Sequence, residues 1–288
     1  MKLRRYTVLA LLLVSCLLAG LCRVEAKESN PKNAVDYYNR GLAYHRKGDY
    51  GRALADYNRS LQCNPKYAPA YNNRGLVYGN KGDQDRAIAD YNRALQLNPK
   101  YMESYYNRGN AYYHKREYDR AIADYSRALQ LNPKLTQAYN NRGYAYYKKG
   151  DNDRAIADLN RALQLDPKDA VAYRNRGQAY SKKGDQGRAI ADYNRALQLD
   201  PKDADAYYNR ANAYVIKGDN DRAIADFNRA IQLNPKDVLA HYNKARFLDQ
   251  AGRKKEALQA YQSFLRCAGP QNARLIKKAR ERIKSLEK

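Results

Sequence analysis

The sequence predicts an all-α protein, a solenoid built from seven stacked helical hairpins. Its prolines recur with a period of 34 residues, at Pro65, Pro99, Pro133, Pro167, Pro201 and Pro235. The string Arg-Ala-Ile-Ala-Asp returns with the same period, at 86–90, 120–124, 154–158, 188–192 and 222–226. A fixed period of this length is typical of repeat arrays, in which each unit completes its core against its neighbours.

Two helices are predicted in each unit. In the third unit, Tyr105, Gly109 and Tyr112 stand at i, i+4 and i+7, which places them on one helical face. Ala121 and Tyr125 begin the same spacing in the second half of that unit. Small residues let the two helices approach closely, and tyrosine rings fill the remaining volume.

A Lys-Gly-Asp turn is predicted between the helices at 81–83, 149–151, 183–185 and 217–219. Glycine accepts the left-handed conformation after the first helix, and aspartate caps the second. The proline that follows ends the second helix, because it lacks a backbone donor. The third and seventh units depart from the rule with Arg116-Glu117 and Gly252-Arg253.

Composition agrees with this architecture only because of tyrosine. The 288 residues have a net charge of +24 and a mean hydropathy of −0.93, values typical of disordered chains. The 29 tyrosines supply the missing apolar area. Catalytic signatures are absent from the sequence: the three histidines lie in different units, and no Gly-rich phosphate loop occurs. We therefore expect no catalytic residue, no cofactor and no metal.

The first 26 residues have the pattern of a secretory signal peptide. Lys2, Arg4 and Arg5 precede an apolar run from 8 to 22, and Val24-Glu25-Ala26 offers a cleavage site after Ala26. Two alternatives stay open: Leu13-Val14-Ser15-Cys16 resembles a bacterial lipobox that would lipidate Cys16, and the segment could remain as an uncleaved anchor. Each predicts an exported protein, either periplasmic, secreted or anchored as a lipoprotein.

Beyond the signal, the predicted organisation is simple. A linker covers 27–33, seven repeats cover 34–270, and a basic amphipathic helix that caps the array covers 271–288. The repeats are 34–67, 68–101, 102–135, 136–169, 170–203, 204–237 and 238–270. Cys63 and Cys267 occupy a slot that holds leucine elsewhere, so small core residues, too distant for a disulfide, are expected there.

These residues resemble the tetratricopeptide repeat (TPR) family, across roughly four fifths of the chain. The matching motif positions in the third unit are Tyr105, Gly109, Tyr112, Ala121, Tyr125 and Pro133. Tyrosine replaces the family's tryptophan, and Arg108 replaces its leucine. The resemblance implies a right-handed superhelix whose first helices line a concave groove, and a non-catalytic scaffold that binds other proteins.

The arginine at the position of Arg108 recurs in the first six units and needs a partner if it is partly buried. An aspartate recurs on the second helix, while the seventh unit has Lys244 and Ala260 and so loses both features. We predict an interhelix ion pair in each of the first six units; the alternative is that each aspartate pairs along its own helix. The predicted pairs are Arg40–Asp56, Arg74–Asp90, Arg108–Asp124, Arg142–Asp158, Arg176–Asp192 and Arg210–Asp226.

An asparagine fills one groove slot in all seven units, and we call this row the asparagine ladder. A carboxamide both donates and accepts, so the row could hold an extended peptide backbone. It resembles the Asn-lined superhelix of O-linked GlcNAc transferases. The alternative is a helix-packing amide that bonds the backbone of a neighbouring repeat. The ladder consists of Asn39, Asn73, Asn107, Asn141, Asn175, Asn209 and Asn243.

Variable groove residues are the candidates for specificity, since tyrosine and arginine are favoured interface anchors. They are Tyr106, Asn110, Tyr113, Tyr144, Tyr147, Arg174 and Tyr208. We predict a scaffold that binds a protein or peptide, with an acidic one fitting the mildly basic groove, in the assembly of an envelope complex. The alternative is a basic tether for anionic lipid, polysaccharide or nucleic acid. Nucleic acid is the least expected partner of an exported chain, and membrane contact is expected only through Cys16 or an uncleaved signal.

Overall fold

The computed structural model describes residues 32–287, and within this range it contains fifteen α-helices, one short 3-10 helix and no strand. The first helices of the repeats are α1 (Ala34–Arg46), α3 (Ala68–Asn80), α5 (Met102–His114), α7 (Thr136–Lys149), α9 (Ala170–Lys182), α11 (Ala204–Lys217) and α13 (Val238–Gln250). The second helices are α2 (Tyr50–Cys63), α4 (Gln84–Leu97), α6 (Tyr118–Leu131), α8 (Asn152–Leu165), α10 (Gln186–Leu199), α12 (Asn220–Leu233) and α14 (Lys254–Cys267). After a 3-10 turn (Pro270–Asn272), α15 (Ala273–Leu286) ends the fold.

The helices form a solenoid of seven hairpins, as predicted. Each first helix packs against its own second helix, and each second helix packs against the next hairpin. Consecutive first helices also contact each other through the first six repeats, whereas consecutive second helices have fewer direct contacts. The first helices therefore lie on the inner, concave side of the array.

Aromatic rings of the second helices fill the core against glycines of the first helices. Tyr57, Tyr91, Tyr125 and Tyr193 are almost fully buried. A Cβ atom added at Gly109 would lie 2.8 Å from the Tyr125 ring. Because the ring packs directly on the glycine backbone, the glycine is what brings the two helices together.

The turns between the helices follow the predicted chemistry. Gly82 has a φ of +85°, in the left-handed region, and Asp83 Oδ1 accepts from the Arg86 backbone N–H at 3.0 Å. In the third repeat, Arg116 adopts a φ of +62° without being glycine, and Glu117 makes no side-chain cap. The third repeat, which departs from the Lys-Gly-Asp sequence, therefore lacks the side-chain cap and has a strained backbone at Arg116.

An Arg–Asp pair joins the two helices in each of the first six repeats. In the third repeat, Arg108 Nε lies 2.7 Å from Asp124 Oδ2, and its Nη2 lies 2.7 Å from Oδ1. The other five pairs have the same two-bonded geometry, with Nε–Oδ2 distances of 2.7 or 2.8 Å. Among these six aspartates, only Asp56 also has an ion pair along its own helix within residues 32–287, with Arg59 at 4.0 Å.

The remaining donor of the arginine reaches the repeat before it, which the sequence reasoning did not anticipate. Arg108 Nη1 donates to Asn92 Oδ1 at 2.6 Å, and in the fourth repeat Arg142 Nη1 donates to Ser126 Oγ at 2.8 Å. The other acceptors are Asn58, Asn160 and Asn194. From the second repeat to the sixth, each arginine thus connects three helices of two repeats. We call this network the arginine spine.

Tyrosine rings flank the arginines of the spine. The Arg108 guanidinium lies 5.6 Å from the centroid of Tyr105 and 6.0 Å from that of Tyr112. The Asp124 side chain is only 8 % exposed, and burial raises its carboxyl pKa despite the opposing effect of Arg108. A carboxylate in this position is stable only with its arginine in place.

The C-terminal helix α15 packs on the last hairpin. Its Leu275, Ile276 and Ile283 surround Ala279 and extend the core that contains Phe264. Arg282 adds a two-bonded pair with Asp249 of α13, at 2.5 and 2.8 Å. The apolar face of α15 is therefore occupied within the fold.

Two expectations from the sequence need comment. Cys63 is exposed rather than part of the core, because its slot lies at the end of the second helix; both it and Cys267 are free thiols. The signal peptide, Cys16 and most of the linker lie outside the described residues. Among the helices that are described, none is long and apolar enough to cross a membrane.

Candidate ligand-binding groove

The inner surface of the solenoid is formed by the exposed faces of the first helices, and the asparagine ladder runs along it. Asn73 Nδ2 donates to the Tyr38 hydroxyl at 3.0 Å, and Asn175 Nδ2 donates to Asn140 Oδ1 at 2.8 Å. The same bond to the preceding repeat joins Asn107 to Asn72, Asn141 to Tyr106 and Asn243 to Tyr208. For Asn39 and Asn209, no such bond is present within residues 32–287. Each of these bonds ends on the residue that comes immediately before the ladder asparagine of the preceding repeat. The ladder therefore links consecutive repeats.

These bonds restrict what the ladder can offer to a ligand. Asn73 uses its amide donor twice, on Tyr38 and on the Pro69 carbonyl. Asn141 likewise donates to both the Tyr106 hydroxyl and Asn110 Oδ1. At these two positions the carbonyl oxygen is the group left to accept a bond from a bound backbone. At five ladder positions the asparagine thus bonds the neighbouring repeat, as the packing alternative has it, but through side chains rather than the backbone that the alternative named.

Tyrosines of the third and fourth repeats form a continuous aromatic surface in the groove. The ring centroids of Tyr113 and Tyr144 are 5.8 Å apart, and Tyr144 and Tyr147 are stacked at 5.7 Å. Lys148 Nζ lies 4.9 Å from the Tyr144 centroid. Burial raises the pKa of the Tyr113 and Tyr147 hydroxyls, so both are neutral proton donors near neutral pH. This surface has the rigid rings and polar tips that interfaces favour.

A cavity of about 380 Å³ opens beside this surface, between the second and fourth repeats. Five predicted groove residues meet at its wall, namely Asn107, Asn110, Tyr113, Asn141 and Tyr144. Asn110 holds this wall together, because its Oδ1 accepts from the Tyr125 hydroxyl at 2.8 Å and from Asn141 at 2.9 Å. The volume of the cavity lies at the lower end of the range for ligand pockets, which is roughly 300–1,000 Å³.

Other predicted groove residues lie away from the cavity. Arg174 is held in an ion pair with Asp203 at 2.6 Å, and both side chains are largely buried. Tyr208 accepts from Asn243 and packs edge-on against Phe227. These contacts give both residues a role between repeats. Gly79, Gln84 and Tyr91 also line the cavity, and the sequence pattern did not predict them as groove residues. The glycine in a groove slot was the available indication.

The described side chains of the groove offer hydrogen bonds, ring contacts and exposed charge. Within residues 32–287, no group of three or more His, Cys, Asp or Glu side chains is placed to hold a metal ion. The concave face carries Lys148 and Lys182 as exposed cations. A ligand on this surface would meet amides, aromatic rings and these two ammonium groups.

The fold and its inner surface define a class of protein, an α-solenoid scaffold. A family model described as "TPR repeat" matches residues 41–82, 143–184 and 182–216. A model described as "Tetratricopeptide repeat" matches 68–101, 103–135 and 204–237, and a second of that description matches 125–157 and 227–259. The chain therefore belongs to the tetratricopeptide repeat family, whose members are generally scaffolds for protein interaction.

Solved structures with this fold agree. YrrB, a TPR protein with an unusual peptide-binding site, is 26 % identical with a TM-score of 0.54, covering 65 % of this chain and 97 % of YrrB. MamA is 28 % identical with a TM-score of 0.53, covering 57 % of this chain and 96 % of MamA. A TPR protein from Parabacteroides merdae is 20 % identical with a TM-score of 0.67, covering 88 % and 99 %, and it shows the fold alone. No curated protein matches the sequence.

Proposed function

We propose that this chain is an exported, non-catalytic scaffold that binds an extended polypeptide along its concave face and assists the assembly of an envelope complex. The observation that carries the proposal is the continuous surface of Tyr113, Tyr144 and Tyr147 beside a 380 Å³ cavity. Support by analogy comes from YrrB, a TPR protein with a peptide-binding site. The exposed cations beside the rings favour an acidic segment.

Charge reversal in the groove tests this proposal. We expect Lys148→Glu with Lys182→Glu to abolish capture of polypeptide partners from an envelope fraction by the full chain, because both lysines are exposed on the concave face. Lys134→Glu with Lys168→Glu is the matched control, since these lysines are exposed in turns between repeats. Mass spectrometry identifies the captured proteins. An unchanged partner list for the groove variant would move the contact surface elsewhere.

Export is a separate part of the proposal and has its own test. The pattern of residues 1–26 supports it, with cleavage after Ala26 favoured over lipidation of Cys16. The intact mass of the protein recovered from its native host distinguishes a chain that begins at Lys27 from one that carries lipid on Cys16. Recovery of the intact 288-residue chain in the cytosol would contradict export.

A second candidate function, binding of a polyanion, is favoured by the uneven pairing of charge. The arginines near the second-helix N-termini, such as Arg86 and Arg154, pair with their cap aspartates. Arg93, Arg127 and Arg161 lie two turns further along the same helix face. They have no carboxylate partner within residues 32–287, and each donates a hydrogen bond to a glutamine. Uncompensated charge is therefore concentrated toward the C-terminal half of the second helices.

Heparin binding at increasing salt distinguishes this function from peptide binding. The triple variant Arg93→Gln, Arg127→Gln and Arg161→Gln should reduce both the affinity and its salt dependence. Its matched control, Arg86→Gln, Arg120→Gln and Arg154→Gln, removes the same formal charge but from paired arginines. Equal losses in the two variants would show a response to net charge alone and no dedicated surface.

A further inference from the structure

Gly79 occupies a groove slot that holds a side chain in every other repeat. The equivalent residues are His45, Tyr113, Tyr147, Ser181, Val215 and Asp249. A glycine within a helix destabilises the helix relative to alanine, so the glycine at 79 requires a structural explanation.

Packing does not supply that reason. A Cβ atom at Gly79 would meet its nearest neighbours, Ala87, Gln84 and Tyr91, at 3.8–3.9 Å, which is ordinary contact. By contrast, a Cβ at Gly75, one turn earlier, would lie 2.9 Å from the Tyr91 ring. Gly75 is therefore required by the helix packing, whereas Gly79 leaves a space that packing does not need.

That space is part of the cavity between the second and fourth repeats, whose wall Gly79 forms. Leu76 and Ala111 supply apolar surface, and the rings of Tyr113 and Tyr144 stand at one side. The rest of the wall consists mainly of side-chain amides, from Asn80, Gln84, Asn107, Asn110 and Asn141. Tyr91, Tyr125 and His114 complete it. No lysine, arginine, aspartate or glutamate is among the lining residues.

This lining selects among possible occupants. A charged side chain would lose its hydration without finding a counter-charge, which is costly. An aromatic side chain would gain ring contacts with Tyr113 and Tyr144. The hydroxyl or indole N–H of tyrosine or tryptophan would also find acceptors among the carboxamides.

We propose that Gly79 opens a pocket for one aromatic side chain of the bound polypeptide, so that the groove recognises sequence as well as backbone. This proposal rests on the proposed function of the chain, the binding of a polypeptide in the groove. It assigns the second, third and fourth repeats as the site of specificity, with the aromatic residue as the anchor of the ligand.

Filling the pocket tests the proposal. Phage displaying random twelve-residue peptides are selected on the full chain, on Gly79→Leu and on Ser181→Leu. The last variant places the same side chain in the same slot of the fifth repeat, outside the cavity. We expect aromatic residues to be enriched among peptides selected by the wild-type chain and by Ser181→Leu, and the enrichment to be lost with Gly79→Leu.

A graded variant covers the case in which leucine disturbs the fold. Gly79→Ala adds one methyl group in ordinary contact, and we expect it to weaken binding of a selected aromatic peptide about fourfold, the equivalent of roughly one buried CH₂ group. Its melting temperature should be no lower than that of the wild-type chain. Unchanged affinity in Gly79→Ala together with unchanged selection in Gly79→Leu would overturn the pocket.

The outcomes separate this proposal from the broader one. Peptides selected without aromatic enrichment by the wild-type chain would overturn the aromatic pocket and leave peptide binding standing. A wild-type chain that selects no peptides would overturn both, because the groove would then have no peptide ligand at all.

Discussion

The first six repeats and the seventh share one backbone but are held together differently. In the first six, a buried Arg–Asp pair fixes the angle between the two helices, as between Arg108 and Asp124. The seventh has Lys244 and Ala260 at these positions, and burial lowers the pKa of Lys244. Its core gains a ring at Phe264, where the sixth repeat has Ala230. The centroids of Tyr242 and Phe264 are 5.1 Å apart, and α15 closes this core.

The difference follows from what each repeat has next to it. An internal repeat must bind a neighbour on both sides, and the arginine spine supplies directional bonds that reach the preceding repeat. The last repeat still contacts the sixth, as in the bond from Asn243 to Tyr208. On its other side it meets only the capping helix, and an apolar core with the Arg282–Asp249 pair is sufficient there. Polar bonds thus connect the internal repeats to one another, and apolar packing closes the end of the array.

The largest effect is expected from breaking the spine in its middle. Asp124→Ala leaves the Arg108 guanidinium without its partner at 20 % exposure, and should lower the free energy of unfolding by about 2–4 kcal/mol. Asp119→Ala, which removes an 81 % exposed carboxylate paired with Lys149, should change it by no more than about 0.5 kcal/mol. Urea denaturation measures both. Equal losses would mean that the spine contributes no more than a surface pair.

A second effect sharpens the comparison between glycines. Gly109→Ala would place a Cβ 2.8 Å from the Tyr125 ring and should destabilise the chain by about 1–3 kcal/mol. Gly79→Ala should instead stabilise it by about 0.5–1 kcal/mol, since its Cβ meets only ordinary contacts. Thermal melting of the two variants distinguishes them. A loss of stability in Gly79→Ala would show that the groove glycine also serves packing.

A smaller effect is expected from building the missing pair into the seventh repeat. Lys244→Arg with Ala260→Asp restores the residues of the first six repeats, and Asn228 of the preceding helix stands where the spine finds its third partner. A double-mutant cycle should give a favourable coupling of about 1 kcal/mol. Zero coupling would show that the aromatic core of the last repeat fixes a helix angle that excludes the pair.

The smallest effect concerns acid. The backbone N–H of Arg86 and its guanidinium lower the pKa of the cap carboxyl of Asp83, and Asp151 and Asp185 are lowered in the same way. A depressed carboxyl pKa contributes stability that is fully present above its ordinary value of about 4 and is lost as pH falls through the folded-state value. Replacing the three aspartates by asparagine should therefore make the midpoint of urea denaturation fall less between pH 5 and pH 3 than it does in the wild-type chain. A slope identical to that of the wild-type chain would contradict it.

Periodicity made the fold predictable, because seven copies of one pattern repeat each local signal. The Arg–Asp geometry was also accessible, since Lys244 and Ala260 lose both members at once. The bond from Arg108 to Asn92 was not, because it joins two different repeats, and the spacing of the sequence does not give the angle at which neighbouring hairpins pack. The ladder's bonds to the preceding repeat are hidden for the same reason.

The cavity escaped the sequence reasoning for a different reason. Glycine at 79 is read as a helix-packing residue unless the space around it is known, and that space depends on Tyr91, Tyr113 and Tyr144 from three repeats. The position of Cys63 was misjudged because a leucine slot at a helix end is covered only in part. Sequence periodicity identifies faces of helices well, and it locates the depth of a residue less well.

The spine also bears on how such a protein changes length. Each unit from the second to the fifth brings an arginine that reaches back and, one helix later, an acceptor such as Asn92 or Ser126 that the arginine of the next unit uses. A 34-residue segment duplicated or deleted in the gene would therefore arrive or leave with matching ends on both sides. Growth of the groove by whole units requires no compensating substitution elsewhere, provided that the last unit and its helix stay at the end.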